Sequence, residues 1–90
     1  MKVYIVSYDL NSRANPDYEG VCTALSACGD VKRLHQSVFL LASNLGAMTI
    51  RESIKPTLNP GDSVFIALFD LSEWSGWNTR MSAWIAEHSN

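Results

Sequence analysis

The apolar positions of this chain fall into blocks of strand length, separated by turn residues and by stretches with helical spacing. Val3 to Tyr8 is β-branched and aromatic, and it stops at the turn-rich Asp9-Leu10-Asn11-Ser12. This predicts a first strand. Asn15-Pro16-Asp17 predicts a helix start, because Asn15 can cap, Pro16 suits the first helical position and Asp17 suits the positive end of the dipole. Tyr18, Val21, Cys22 and Leu25 follow at helical spacing, and Gly29 is placed to end that helix in the left-handed conformation. Val31 to Ser43 is too long for one ordinary strand. Split near Gln36, it predicts strands over Val31–His35 and Ser37–Ala42, as a hairpin or a bent strand.

A second helix, capped by Ser43 or Asn44, carries Ala47, Ile50, Ile54 and Leu58 on one face. Pro56 removes a hydrogen bond from its last turn, so a kink or an early end is expected there. Asn59-Pro60-Gly61-Asp62 is a turn, and Ser63 to Phe69 is another strand. Trp77, Met81, Trp84, Ile85 and His88 are spaced for a final helix, which Ser75 could cap. The order β-α-β-β-α-β plus a helix predicts a ferredoxin-like α+β domain spanning residues 1–90, with an antiparallel sheet and its first two helices on one face.

The strands are apolar on both sides. Val64, Ile66 and Leu68 point one way, while Phe65, Ala67 and Phe69 point the other; Val38 and Leu40 likewise oppose Phe39 and Leu41. A sheet wetted on one face alternates apolar with polar residues instead. Two helices cover one face only. The other must meet the final helix, a second copy of the sheet, or both. A two-fold homodimer through the sheet face is predicted, with Phe65, Phe69, Trp77 and Trp84 in the interface. The alternative is a monomer whose tryptophan-bearing helix fills that face alone.

Composition sharpens this picture. Apolar residues make up 47% of 90 residues and charged ones only 18%, which leaves apolar surface for a partner to cover. The net charge of −2 argues against tight, indiscriminate nucleic-acid binding, which feeds on a basic excess. Cys22 and Cys28 would lie about 9 Å apart along one helix, too far for a disulfide. Free thiols in a reducing compartment are expected. The apolar opening run is far short of a signal peptide or a membrane span, and a cytoplasmic location is expected.

Asp9 is the first candidate for chemistry. A carboxylate at a strand end can ligate magnesium or manganese, and a two-fold axis could bring two copies together to activate water against a phosphodiester. Equally, Asp9 can be a turn residue bonding its own backbone. Tyr8 is either a base-stacking ring or a core aromatic. Arg13, Lys32 and Arg33 are either phosphate contacts or solvated charges. His35 has no visible catalytic partner, and Ser37 lacks the His/Asp arrangement of a nucleophile. The tryptophans are either base-stacking platforms or packing residues.

Three blocks occur in the order and spacing of a known family. Lys2 to Asp9, ending in Tyr8-Asp9, resembles the opening strand of the CRISPR-associated Cas2 family. Arg33-Leu34-His35-Gln36-Ser37-Val38-Phe39 resembles its second-to-third strand signature, and Asp62-Ser63-Val64 the start of its fourth strand. Tyr8-Asp9-Leu10-Asn11, the Ile50-Arg51 to Lys55-Pro56 helix and the tryptophan-rich end are similar to its SinR-like relatives, and VapD-like toxins share the general fold. The resemblance implies a dimer with paired strand-end aspartates, and either of two activities. One is a metal-dependent endonuclease acting on RNA or DNA, with Asp9 as catalytic residue and ligand for Mg2+ or Mn2+. The other is a non-catalytic interaction or scaffold module of an antiviral defence or toxin–antitoxin system, with a partner protein. By motif, Tyr8, Arg13, Arg33 and Ser37 are the nucleic-acid candidates and Phe39 lies near the site. The sequence departs from the family in its acidic Asn11 to Gly20 segment and in its C-terminal helix, which replaces a short strand tail.

Overall fold

The computed structural model describes residues 1–10 and 18–89. Four strands, β1 (Lys2–Asp9), β2 (Asp30–His35), β3 (Val38–Ser43) and β4 (Ser63–Leu68), form one sheet in the order β2-β3-β1-β4. Every neighbouring pair is antiparallel. Helices α1 (Tyr18–Ser26) and α2 (Ala47–Ile54) follow β1 and β3, and α3 (Ser82–Glu87) closes the chain. This is the ferredoxin-like arrangement with an added helix. The expected Asn15-Pro16-Asp17 helix start lies outside the described residues, as does Arg13. No helix among the described residues is long and apolar enough to cross a membrane.

Both faces of the sheet are covered, because both are apolar. Tyr4, Val6 and Tyr8 of β1, with Phe39 and Leu41 of β3, pack under Val21 and Leu25 of α1 and Ile50 and Ile54 of α2. The residues between them point the other way. Val3, Leu40 and Ala42 pack against Met81, Trp84 and Ile85, with Ile5, Leu34, Phe69 and Leu71 at the margin. The chain's own last segment thus covers part of the second face.

That segment is less helical than its spacing predicts. Trp77 lies outside α3 and is 91% exposed. Asn78 and Arg80 have φ of 61° and 56°, and left-handed residues cannot propagate a right-handed helix. Ser75 caps nothing; Met81 precedes the first helical turn. His88 pins the far end. Its Nε2 lies 3.0 Å from Asp30 Oδ2 of β2, its Nδ1 lies 2.8 Å from the Trp84 carbonyl, and its ring packs 4.1 Å from that of Trp84.

Two local expectations are corrected. Gly29 is not in the left-handed region, where Gly61 alone among the described glycines sits. It is needed for close approach, because a Cβ there would fall on the Ala42 carbonyl. Gly46, rather than Ser43 or Asn44, occupies the N-cap of α2. Ser43 is spent elsewhere: its Oγ donates to the Cys28 carbonyl at 2.7 Å and accepts from the Leu45 N–H at 3.0 Å. Pro56 ends α2 as expected, leaving a 3-10 turn over Lys55–Thr57. Cys22 and Cys28 are free thiols.

The contrast between two glycines is testable by urea unfolding. Gly29→Ala forces backbone apart and should cost about 1–3 kcal/mol. Gly46→Ala meets nothing within 4 Å at a φ of −79°. Its weaker cap and its stiffer unfolded chain offset each other, so it should stay within about 0.5 kcal/mol of the wild type.

Candidate functional site

The alternation of β1 decides where each candidate side chain goes. Tyr8 and Asp9 are neighbours in sequence and point to opposite faces of the sheet. Tyr8 faces α1 and α2. It is 3% exposed, its ring stacks on Phe39 at 5.6 Å, and its hydroxyl donates to the Gln36 carbonyl at 3.0 Å. Asp9 faces the side that α3 partly covers, at the exposed end of the strand.

Asp9 keeps a defined set of neighbours on that side. Ser63 of β4 is its cross-strand partner. Ser7, two residues back, shares its face and lies between Val38 of β3 and Phe65 of β4. Phe65 is 70% exposed. α3 packs on Val3, Leu40 and Ala42, toward the other end of the strands, and leaves this end uncovered. The result is a shallow platform of one carboxylate, two hydroxyls and one exposed ring. Ser7 and Ser63 were missed as candidates, although the strand period alone puts Ser7 beside Asp9.

Arg33 goes to the Tyr8 side. Its guanidinium lies 5.1 Å from the centre of the Phe39 ring and its Nη2 lies 3.8 Å from Glu19 Oε1 of α1. The pairing of β2 with β3 shifts between Arg33 and His35, which re-aims this stretch. Ser37 sits half-buried in the β2–β3 turn, and its carbonyl accepts the Tyr8 N–H at 3.0 Å. Phe39 is fully buried. Of the four residues expected at a dimer interface, Trp84 and Phe69 pack within the chain under α3, while Phe65 and Trp77 are exposed. Asp9 and Phe65 therefore share one face, and Tyr8, Arg33 and Phe39 share the other.

Oxygen donors such as Asp9 and its flanking hydroxyls suit a hard divalent cation. Among the described residues, no three His, Cys, Asp or Glu side chains cluster as metal ligands.

The sheet order and the placement of Asp9 define a ferredoxin-like domain with a strand-end carboxylate on its open face. The chain has a Cas2-like fold. The crystal structure of Cas2 from Streptococcus pyogenes at pH 6.5 superposes with a TM-score of 0.54 and 19% sequence identity, over 82% of this chain and 99% of that one. No family model matches the sequence, and no curated protein matches it.

The Tyr8 hydroxyl bond is separable from its ring. Tyr8→Phe keeps the stack on Phe39 and strands the Gln36 carbonyl, so it should lower unfolding free energy by about 0.5–1.5 kcal/mol in urea. A stability equal to the wild type's would show that the hydroxyl contributes nothing to the fold.

Proposed function

We propose that the chain works in the cytoplasm as a homodimer, and that two copies of Asp9 brought together across its axis form the carboxylate pair of a Cas2-like, metal-dependent nuclease. The observation that carries this reading is the exposed position of Asp9 beside Phe65, on the end of the second sheet face that α3 leaves uncovered. An apolar ring next to a carboxylate on an otherwise packed face is suited to a seam between copies. The two Asp9 side chains would hold Mg2+ or Mn2+. Such an ion supplies an activated water and charge neutralisation at the phosphodiester of an RNA or DNA substrate. Ser7 and Ser63 are placed to donate hydrogen bonds to phosphate oxygens beside the pair.

A second reading is a non-catalytic dimeric module that engages a partner protein in a defence or toxin–antitoxin system. It is favoured by the Arg33 guanidinium, which is engaged with Phe39 and Glu19, and by the net charge of −2. Both weaken the hold on a phosphate backbone.

A manganese-dependent cleavage assay on RNA and DNA separates the two. Asp9→Ala should lower cleavage about a hundredfold or more, the scale of losing a group that organises proton transfer. Equal cleavage by wild type and variant points to a contaminant and ends the nuclease reading. Light scattering should give a multimer at tens of micromolar, and a monomer there ends the homodimer.

A further inference from the structure

The segment between β4 and α3 arches over the second sheet face, and a cavity of about 140 Å³ lies beneath it. Leu34 and Leu40 bound this cavity from the sheet, and Met81 and Ile85 bound it from the helical end. Trp74, Ser75 and Thr79 line it from the arch.

The arch has a definite shape. Asn78 and Arg80 hold left-handed backbone, which costs an L residue free energy. Such residues persist where their surroundings over-determine them, and they cluster at ligand clamps. Gly76 lets the chain fold back on itself. A Cβ there would stand 2.7 Å from Thr79 Oγ1 and 3.6 Å from Trp74 Cζ3. The two sides of the arch are therefore packed against each other, and its inner surface is fixed.

The lining narrows the choice of ligand. It is mostly apolar and contains no Asp, Glu, Lys or Arg, which favours a neutral molecule. Trp74 and Phe69 supply aromatic rings. His35, Ser75 and Thr79 supply an imidazole and two hydroxyls. Among the described residues, no hydrogen bond or ion pair engages these three side chains. A few polar groups set in an apolar wall are the usual make-up of a small-molecule site. Size sets the last limit. An apolar cavity of about 150 Å³ holds one benzene ring. A cavity of about 140 Å³ thus admits one six-membered ring and excludes two fused ones.

We propose that this cavity binds a neutral, single-ring aromatic compound with one hydrogen-bonding substituent, a phenol or its like. The ring packs on Leu34, Leu40 and Trp74, and the substituent meets the polar group of His35, Ser75 or Thr79. Such a ligand touches the arch and the sheet at once, so it holds the cover of the second face in place. None of the lining residues belongs to the Asp9 platform of Ser7, Asp9, Ser63 and Phe65. The site is therefore independent of the nuclease reading, and Asp9→Ala should bind the ligand as the wild type does.

4-Fluorophenol, followed by fluorine NMR on the full chain, tests the site. Its signal should shift saturably, with one molecule per chain and a Kd of about 1 mM or tighter, the range for so few atoms. Phenol should displace it. 1-Naphthol, with two rings, and toluene, with no hydroxyl, should displace it less well. Trp77 is the rival site for an aromatic probe because its ring is exposed, and Trp77→Ala should leave the Kd unchanged. Ser75→Trp fills the cavity from the exposed arch and should weaken binding about tenfold or more. Leu34→Trp fills it from the sheet and should do the same, with the circular dichroism of the fold kept. A signal that does not saturate overturns the site, as does binding lost in Trp77→Ala or binding kept in both filling variants. Displacement by toluene or 1-naphthol as effective as that by phenol overturns it too.

Discussion

A four-stranded sheet with apolar residues on both sides has to be covered twice, and a chain of 90 residues has little with which to do it. α1 and α2 take most of one face. The second face is left to a six-residue helix and the irregular segment before it. Burying Met81, Trp84 and Ile85 against Val3, Leu40 and Ala42 gains about 1.5–3 kcal/mol for each large side chain. Ordering the segment costs about 1–2 kcal/mol of backbone entropy per residue. These terms are comparable, so anchors at the ends matter. The Phe69 bond to Val3 holds one end and the His88 contact with Asp30 holds the other. Trp84 also carries a cost, because its buried Nε1 has no hydrogen-bond partner among the described residues.

The short cover is what creates the candidate site. Had α3 started at Trp77, as the helical spacing suggests, more of the second face would be packed. Left-handed Asn78 and Arg80 stop it, and the helix spans only Ser82–Glu87. Ser7, Asp9 and Phe65 stay in the open as a result. Each then owes its exposure to packing elsewhere in the chain, and strand alternation delivers Asp9 to this face by the same step that buries Tyr8.

Much of this was legible in the residues. The period-two blocks located the strands, their doubly apolar character required cover on both faces, and Pro56 marked the end of α2. What escaped has physical causes. A left-handed backbone at Asn78 and Arg80 leaves no mark on the i, i+4, i+7 spacing of Trp77, Met81 and Trp84. Gly29 carries two readings, and only the approach of the Ala42 carbonyl selects one. A linear motif sets Tyr8 beside Asp9 with Arg33 nearby, and the fold does not keep that grouping. Strand alternation separates the first two, and direct cross-strand pairing sets Arg33 against Phe39. Ser7 was within reach of the sequence, because a period of two fixes its face once Asp9 is chosen.

The proposed Asp9 contact carries an electrostatic cost. Bringing two Asp9 carboxylates to about 4 Å costs about 1 kcal/mol in bulk water and about 4 kcal/mol near a protein surface. Burying Phe65 in the same contact returns about 1.5–3 kcal/mol. In the proposed pairing the balance around Asp9 is therefore close to even, and a divalent cation held by the two carboxylates would decide it. An assembly held at Asp9 would be tied to whatever neutralises the proposed pair. In the proposed dimer, association would accordingly depend on the metal through the Asp9 contact.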